Sequence, residues 1–181
     1  MDDFGNPGKA NYYGLKPSES NFIQPDKKPL SSMSPMMVFQ SPETENSLST
    51  EDNNDNRISD DMKLLLVLGA SGGPKIITAV LQVFIHFCWL GWPIFDSVAY
   101  PRIHDQLLYH SRLATAIEVC FLDEGPLLNV SETRRDALKR RGHRLLNIDY
   151  TGTVQAIGVD LEANTLSAAC DIRKGGAPAG Y

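Results

Sequence analysis

Residues 63–84 read KLLLVLGASGGPKIITAVLQVF. From Lys63 to Leu68 the run is continuously apolar after its first residue, as expected of a strand covered on both faces. GASGG at 69–73 ends it. Glycines there can take the positive φ angles of a sharp reversal, and Pro74 suits the first helical position because its missing N–H would have gone unpaired. From 76 to 90 the apolar periodicity predicts a helix. Thr78, Gln82 and His86 recur every four residues, so they share one stripe and leave apolar side chains around the rest, as in a helix buried on most sides. The stretch is too short, and too interrupted by those polar residues, to cross a bilayer. His86 reads as a hydrogen-bonded residue at the helix edge. No second His or Cys stands at metal-ligand spacing from it, so no metal site is expected.

Strand, glycine turn and helix in that order aim the free N–H groups of the first helical turn, and the positive end of the helix dipole, at whatever lies above the turn. Two chemistries fit, beside the plainer reading of an ordinary tight turn. Gly69, Ser71 and Gly73 satisfy G-x-S-x-G, which makes Ser71 a candidate hydrolase nucleophile with a downstream base such as His143. That α/β-hydrolase fold needs a parallel sheet of many strand and helix units, whereas mostly short strands follow here. In the second chemistry the amides of Gly72 and Gly73 hold an oxyanion and the attacking group comes from elsewhere. Removing one such donor typically costs about 3 kcal/mol of transition-state stabilisation.

Working outward, residues 21–35 read NFIQPDKKPLSSMSP. Prolines keep this segment extended, and the adjacent hydroxyls of Ser31 and Ser32 can grip a carboxylate. Asp3, within MDDF, can neutralise an ammonium group. Residues 36–40 predict a strand that pairs with 63–68. Between them, residues 41–62 hold seven acidic side chains and one Arg, a local charge of −6. With almost no apolar side chains this insertion cannot offset the entropy of ordering it, so it reads as a flexible surface loop. A calcium loop would want a Gly at its bend, and none is present.

Downstream, strands are expected at 116–122, 144–150, 153–160 and 166–172, the last three as an antiparallel meander. A helix at 132–141 is expected between them, with Ser131 as its cap and Gly142 as its stop. Its Arg and Lys residues crowd the helix end, where cations favour the dipole, so they read as a solvated face and not a nucleic-acid surface. Asn129-Val130-Ser131 fits the glycosylation acceptor pattern.

The chain has 181 residues, enough for one domain. With 42% hydrophobic and 22% charged residues it can pack a core, and its net charge of −5 argues against nucleic acid as a partner. Cys88, Cys120 and Cys170 stand at long, unequal spacings among apolar neighbours, which suits small buried hydrophobes better than a disulfide framework. Met1 is followed by acidic residues, not by a basic and then an apolar region, so no secretory signal is expected.

Several motifs in fixed order carry a resemblance: MDDF at 1–4, the NFI…PLSSMSP segment, GASGGPKIITAVLQV, YPRIHDQ at 100–106, Gly142-His143, and DIRKGGAPAGY at the end. Together they resemble the small subunit of gamma-glutamyltransferase, or glutathione hydrolase, over its C-terminal part. The resemblance implies an α+β fold, the αββα sandwich of the N-terminal nucleophile hydrolases, with only the small-subunit portion supplied here as a single partial domain. It implies an enzyme that cleaves the γ-glutamyl amide of glutathione and passes the glutamyl group to water, an amino acid or a peptide, with no cofactor. By matching position, Asp3 would bind the α-amino group, Ser31 and Ser32 the α-carboxylate, and Gly72 and Gly73 the oxyanion, while residues up to about Glu19 would form a lid. In that family the nucleophilic threonine lies upstream of MDDF, where this sequence starts, so no catalytic nucleophile is expected within it. A large subunit is the implied partner, and an external plasma-membrane, secretory or vacuolar location follows for the whole enzyme. Tyr100 stands where the family usually has Ala, and Ile172 where it usually has Pro. Alternatives are a non-catalytic light-chain-like protein that binds a partner, and the Ser71 hydrolase. Half a sandwich should also leave one sheet face or edge bare.

Overall fold

The structure, a computed structural model, describes residues 2–41, 62–110, 112–121 and 127–180. Most of the acidic stretch, residues 42–61, lies outside the described residues, and so does the expectation of a flexible loop there. In chain order the elements are helical turn α1 (Asp2–Gly5), β1 (Met36–Gln40), β2 (Lys63–Ser71), α2 (Lys75–Phe84), α3 (Ile94–Ala99), β3 (Ile103–Tyr109), β4 (Arg112–Phe121), β5 (Leu127–Asn129), α4 (Glu132–Arg140), β6 (Leu145–Ile148), β7 (Thr153–Asp160) and β8 (Thr165–Cys170).

The first sheet runs β1-β2-β7-β8, and each neighbouring pair is antiparallel. Strand alternation sends Leu66, Leu68, Val154, Ala156 and Ala169 to one face, where Ile76, Ala79, Val80 and Val83 of α2 and Ile94 and Val98 of α3 close the core. The opposite face differs from the expectation drawn from the apolar run. Met37, Val67, Ile157 and Ala168 form a row in register across all four strands. Met37 is 65% and Ile157 42% exposed. Pro178 and Ala179 of the C-terminal tail come over one end of that face. One side of β2 is therefore packed and the other largely bare, as a half sandwich requires.

The helix after the turn also differs from its expectation. It is α-helical to Phe84, and Ile85–Trp89 continue as one π turn. Ile77 and Leu81 are exposed, so this helix is buried on one side and not on most. The polar stripe faces protein instead of solvent. Gln82 donates to the Ile103 carbonyl at 2.9 Å and accepts from the Ile103 N–H at 3.0 Å, which fastens β3 alongside the helix. His86 stacks on Trp92, with ring centroids 4.5 Å apart, and its Nδ1 lies 3.4 Å from the Ser97 carbonyl. Burial holds the His86 imidazole below its ordinary pKa, so Nδ1 donates that bond as a neutral ring.

The second sheet pairs β3 with β4, β4 with β5, and β6 with β4 in parallel. This corrects the three-strand meander: β6 leaves for the second sheet, because α4 supplies the crossover that a parallel pairing needs. Ser131 occupies the helix N-cap position, yet its hydroxyl makes no capping bond. The basic helix face is not simply solvated. Arg134 stacks on Tyr100 with 5.0 Å from guanidinium carbon to ring centroid, and Arg135 donates to Asn129 and Asn147. Cys88 is exposed and Cys170 half-buried, which corrects the reading of both as buried hydrophobes.

Four charged side chains join the sheets. Glu118 on β4 accepts from the Arg102 N–H at 3.0 Å, from the N–H and hydroxyl of Thr151 at 3.1 and 3.0 Å, and from Arg173 Nε at 2.6 Å. Arg102 reaches Asp171 at 2.8 Å and the Gly152 carbonyl at 2.9 Å. Arg173 also grips Asp171 and the Tyr100 carbonyl. Buried ions persist only when paired and hydrogen-bonded in this way, so the network fixes the 151–152 turn relative to both sheets.

Candidate oxyanion and amino-acid site

The glycine turn lies at the end of β2. Gly72 takes φ +137° and Gly73 φ +60°, conformations that L side chains rarely adopt. Their carbonyls accept the first N–H groups of α2: Lys75 N–H to Gly72 at 3.3 Å and Ile76 N–H to Gly73 at 3.0 Å. Their own N–H groups find no acceptor among the described residues. A Cβ on Gly72 would lie 2.8 Å from the Gly152 Cα, so the turn is backed by the backbone that Arg102 holds. A rigid pair of unpaired donors beside a helix N-terminus can accept developing negative charge.

The N-terminal segment comes over this turn. Tyr13 lies so close that a Cβ on Gly73 would overlap its ring, with the phenol oxygen at 2.8 Å. The Asn11 side chain organises the segment: Oδ1 accepts from the N–H groups of Tyr13 and Leu15, both at 3.0 Å, and Nδ2 donates to the Asp3 carbonyl at 2.7 Å. Gln106 adds a second tie, donating to the Tyr13 carbonyl at 2.9 Å. Its Oε1 faces His104 Nε2 at 2.9 Å, and His104 Nδ1 lies 2.8 Å from the Thr78 hydroxyl. An amide oxygen can only accept, so Nε2 carries the imidazole proton and Nδ1 accepts from Thr78. Burial is the largest of the influences that hold the His104 pKa below its ordinary value, which keeps this chain from α2 to Tyr13 neutral. Burial likewise pushes the Tyr13 phenol up, helped by the negative charge of a nearby Asp3.

Asp3 is exposed on α1, linked to the turn through Asn11 and Tyr13. Gly5 of the same turn packs against the Asn21 carbonyl, which fixes α1 on the start of the proline-rich segment. Ser31 Oγ accepts from the Met33 N–H at 3.1 Å, and Ser34 donates to the Ser32 carbonyl at 3.1 Å. Among the described residues, no hydrogen bond joins Ser31 or Ser32 to Asp3 or to the glycine turn. Through Asn11 the Asp3 backbone is tied to the segment that carries Tyr13 onto Gly73, and the serine pair keeps its own local turn.

The Ser71 alternative fails here. Ser71 Oγ is 2.6 Å from Thr153 Oγ1, while His143 Nδ1 is 2.8 Å from Thr115 Oγ1 and 3.5 Å from Asp105. Ser71 ends β2 of the first sheet, whereas His143 lies in the connection before β6 of the second, and the strand carrying Ser71 is antiparallel to both neighbours. Tyr13, Asn11 and Lys75 escaped the sequence reading. A tyrosine in a polar N-terminal segment has no periodic signal, and its place over Gly73 depends on where that segment lands.

The α+β fold is that of the N-terminal nucleophile hydrolases, in its small-subunit portion. The gamma-glutamyltranspeptidase of Pseudomonas nitroreducens complexed with L-DON superposes with a TM-score of 0.70 and 31% identity, covering 100% of this chain and 79% of that one. The family model for gamma-glutamyltranspeptidase matches residues 1–50 and 57–181, leaving a gap inside the acidic stretch. Glutathione hydrolase proenzyme 1 of Schizosaccharomyces pombe is 33% identical over 185 residues, which is 100% of this chain and 24% of that protein. Scoloptoxin SSD20 of Scolopendra dehaani is 30% identical over 182 residues, 100% of this chain and 76% of its own. This chain belongs to the gamma-glutamyltranspeptidase family. It spans about a quarter of the length of the S. pombe relative. Among the described residues no helix is long and apolar enough to cross a membrane.

Proposed function

We propose that this chain forms the substrate-gripping portion of a glutathione hydrolase or γ-glutamyl-transferring enzyme. The γ-glutamyl carbonyl lies over the turn, and the amides of Gly72 and Gly73 hold the oxyanion of its tetrahedral intermediate. Asp3 pairs with the α-ammonium group, and Ser31 and Ser32 receive the α-carboxylate. The unpaired N–H groups of Gly72 and Gly73 beneath Tyr13 carry this reading. The nucleophile is an N-terminal threonine outside residues 1–181, since the mechanism uses that residue's own α-amine as base. A large subunit covers the apolar row of Met37, Val67, Ile157 and Ala168, which otherwise leaves a sheet face wet. The reading includes a single partial domain with an acidic insertion at 41–62, glutathione breakdown as the reaction, and an external plasma-membrane, secretory or vacuolar site of action.

The test is a glutamate titration followed by amide chemical shifts. The signals of Gly72, Gly73, Ser31 and Ser32 should move together and saturate, and Asp3→Ala should abolish the movement. Saturable shifts confined to other residues would overturn the assignment. Purified chain alone should not release chromophore from a γ-glutamyl anilide, and turnover by it would place the nucleophile within these residues.

A further inference from the structure

Lys75 is the second residue after the Gly72–Gly73 turn and only 6% exposed, with no carboxylate within ion-pair distance among the described residues. Its Nζ donates once, to the Tyr150 carbonyl at 2.8 Å. An ammonium carries three donors, so two protons remain without a conventional acceptor. Three aromatic rings surround it instead. Nζ lies 5.9 Å from the ring centroid of Tyr13, 5.9 Å from that of Tyr109 and 5.5 Å from that of Tyr150. These distances fall within reach of the ring quadrupole, and burial strengthens the attraction. The three tyrosines come from three separate places: the N-terminal segment, the end of β3, and the turn before β7.

We propose that Lys75 is a positioning residue whose caged ammonium clamps the Tyr13 ring over the Gly72–Gly73 turn, a role that rests on the reading of that turn as the oxyanion site. The geometry explains why a cation is placed here. The Lys75 backbone belongs to the first turn of α2 and its N–H bonds the Gly72 carbonyl, so the root of the side chain is fixed relative to the glycines, and the Tyr150 carbonyl holds its Nζ. Asn11 and Gln106 hold only the backbone around Tyr13. The ring itself packs on Gly73 and has the Lys75 Nζ over its face. Methionine at this position keeps the stem's packing and loses the charge, whereas arginine keeps a charge that stacks on aromatic faces.

The experiment is amide hydrogen exchange of Tyr12, Tyr13, Gly14 and Leu15 in the wild type, Lys75→Met and Lys75→Arg. Lys75→Met should speed exchange by about tenfold, equivalent to about 1.4 kcal/mol of local opening, while Lys75→Arg stays within about twofold. Equal exchange in the wild type and Lys75→Met overturns the clamp. Equal acceleration in Met and Arg variants also overturns it, because fit and not charge would then hold the ring. Tyr150→Leu supplies a second arm if Lys75→Met does not fold. By itself it should speed exchange about threefold. Where Lys75→Met does fold, Tyr150→Leu in that background should add little, and full additivity counts against an interaction through the cation. Failure of the site reading is separable. If Lys75→Met opens the segment while glutamate leaves the Gly72 and Gly73 signals unmoved, the clamp stands and the substrate assignment falls.

Discussion

Replacing each glycine of the turn by alanine separates what the turn does for the fold from what it does for the site. At Gly72 the backbone takes φ +137°, a region that costs a residue with a Cβ about 1–3 kcal/mol. The added methyl would also lie 2.8 Å from the Cα of Gly152. That atom cannot swing aside, since the Gly152 carbonyl is held by the buried Arg102 at 2.9 Å. Overpacking against fixed backbone adds about 1–3 kcal/mol, so Gly72→Ala should lose about 2–6 kcal/mol. At Gly73, φ +60° lies in the left-handed region, where alanine costs about 1–2 kcal/mol. Its methyl meets the Tyr13 ring, the far end of a side chain that can give way at the expense of its contact with Lys75. Gly73→Ala should therefore lose that backbone cost plus about 1.4 kcal/mol for the Lys75 contact while displacing Tyr13. Urea unfolding followed by circular dichroism measures the first quantity, and amide exchange at Tyr13 and Gly14 the second. The reasoning is refuted if Gly72→Ala stays within about 1 kcal/mol of the wild type, or if Gly73→Ala is the more costly of the two.

Three further outcomes are expected. Glu118→Gln keeps the shape of a side chain that receives five donors from Arg102, Thr151 and Arg173, yet puts an NH2 among them and leaves buried cations unbalanced; it should cost about 3–5 kcal/mol by denaturant unfolding, and a loss below about 1 kcal/mol would discount the network. Stability should fall with acid in two stages, read as urea midpoints between pH 8 and 3. Burial lowers the pKa values of His86 and His104 in the fold, so their contribution is full above the ordinary histidine value of about 6.5 and declines as pH drops through the folded values. Asp171 follows at lower pH: burial alone would raise its carboxyl, but Arg102, Arg173 and the Val154 N–H hold it below the usual range, so its contribution erodes below about 4. A flat profile from pH 8 to 5 contradicts the histidine part. Ile157→Lys, at the middle of the bare sheet row, should shift the isolated chain from associated species toward monomer in sedimentation velocity, and a wild-type chain that already sediments as a compact monomer argues against an unpartnered face.

The local alternation of apolar run, glycine turn and helix is written in residues 63–84, because strand burial, positive φ and helix entry are each decided within a few residues. The pairing of 36–40 with 63–68 was legible for the same reason, despite the long acidic stretch between them, since closure entropy grows slowly with loop length. Which face of β2 stays bare was not. A continuous apolar run reads alike whether its second face meets helices or awaits another sheet. Nor could sequence send β6 to the second sheet, because 144–150 resembles any short strand until α4 supplies the crossover. The buried quartet of Arg102, Glu118, Asp171 and Arg173 was equally hidden: its members are as many as 71 positions apart, and charge carries no periodicity that foretells burial. The same holds at the candidate site. Sequence proposed Asp3, Ser31, Ser32, Gly72 and Gly73 as site residues through local chemistry and motif order. Tertiary structure alone laid Tyr13 on Gly73 and set Lys75 among three rings, since a cage exists only where distant segments meet.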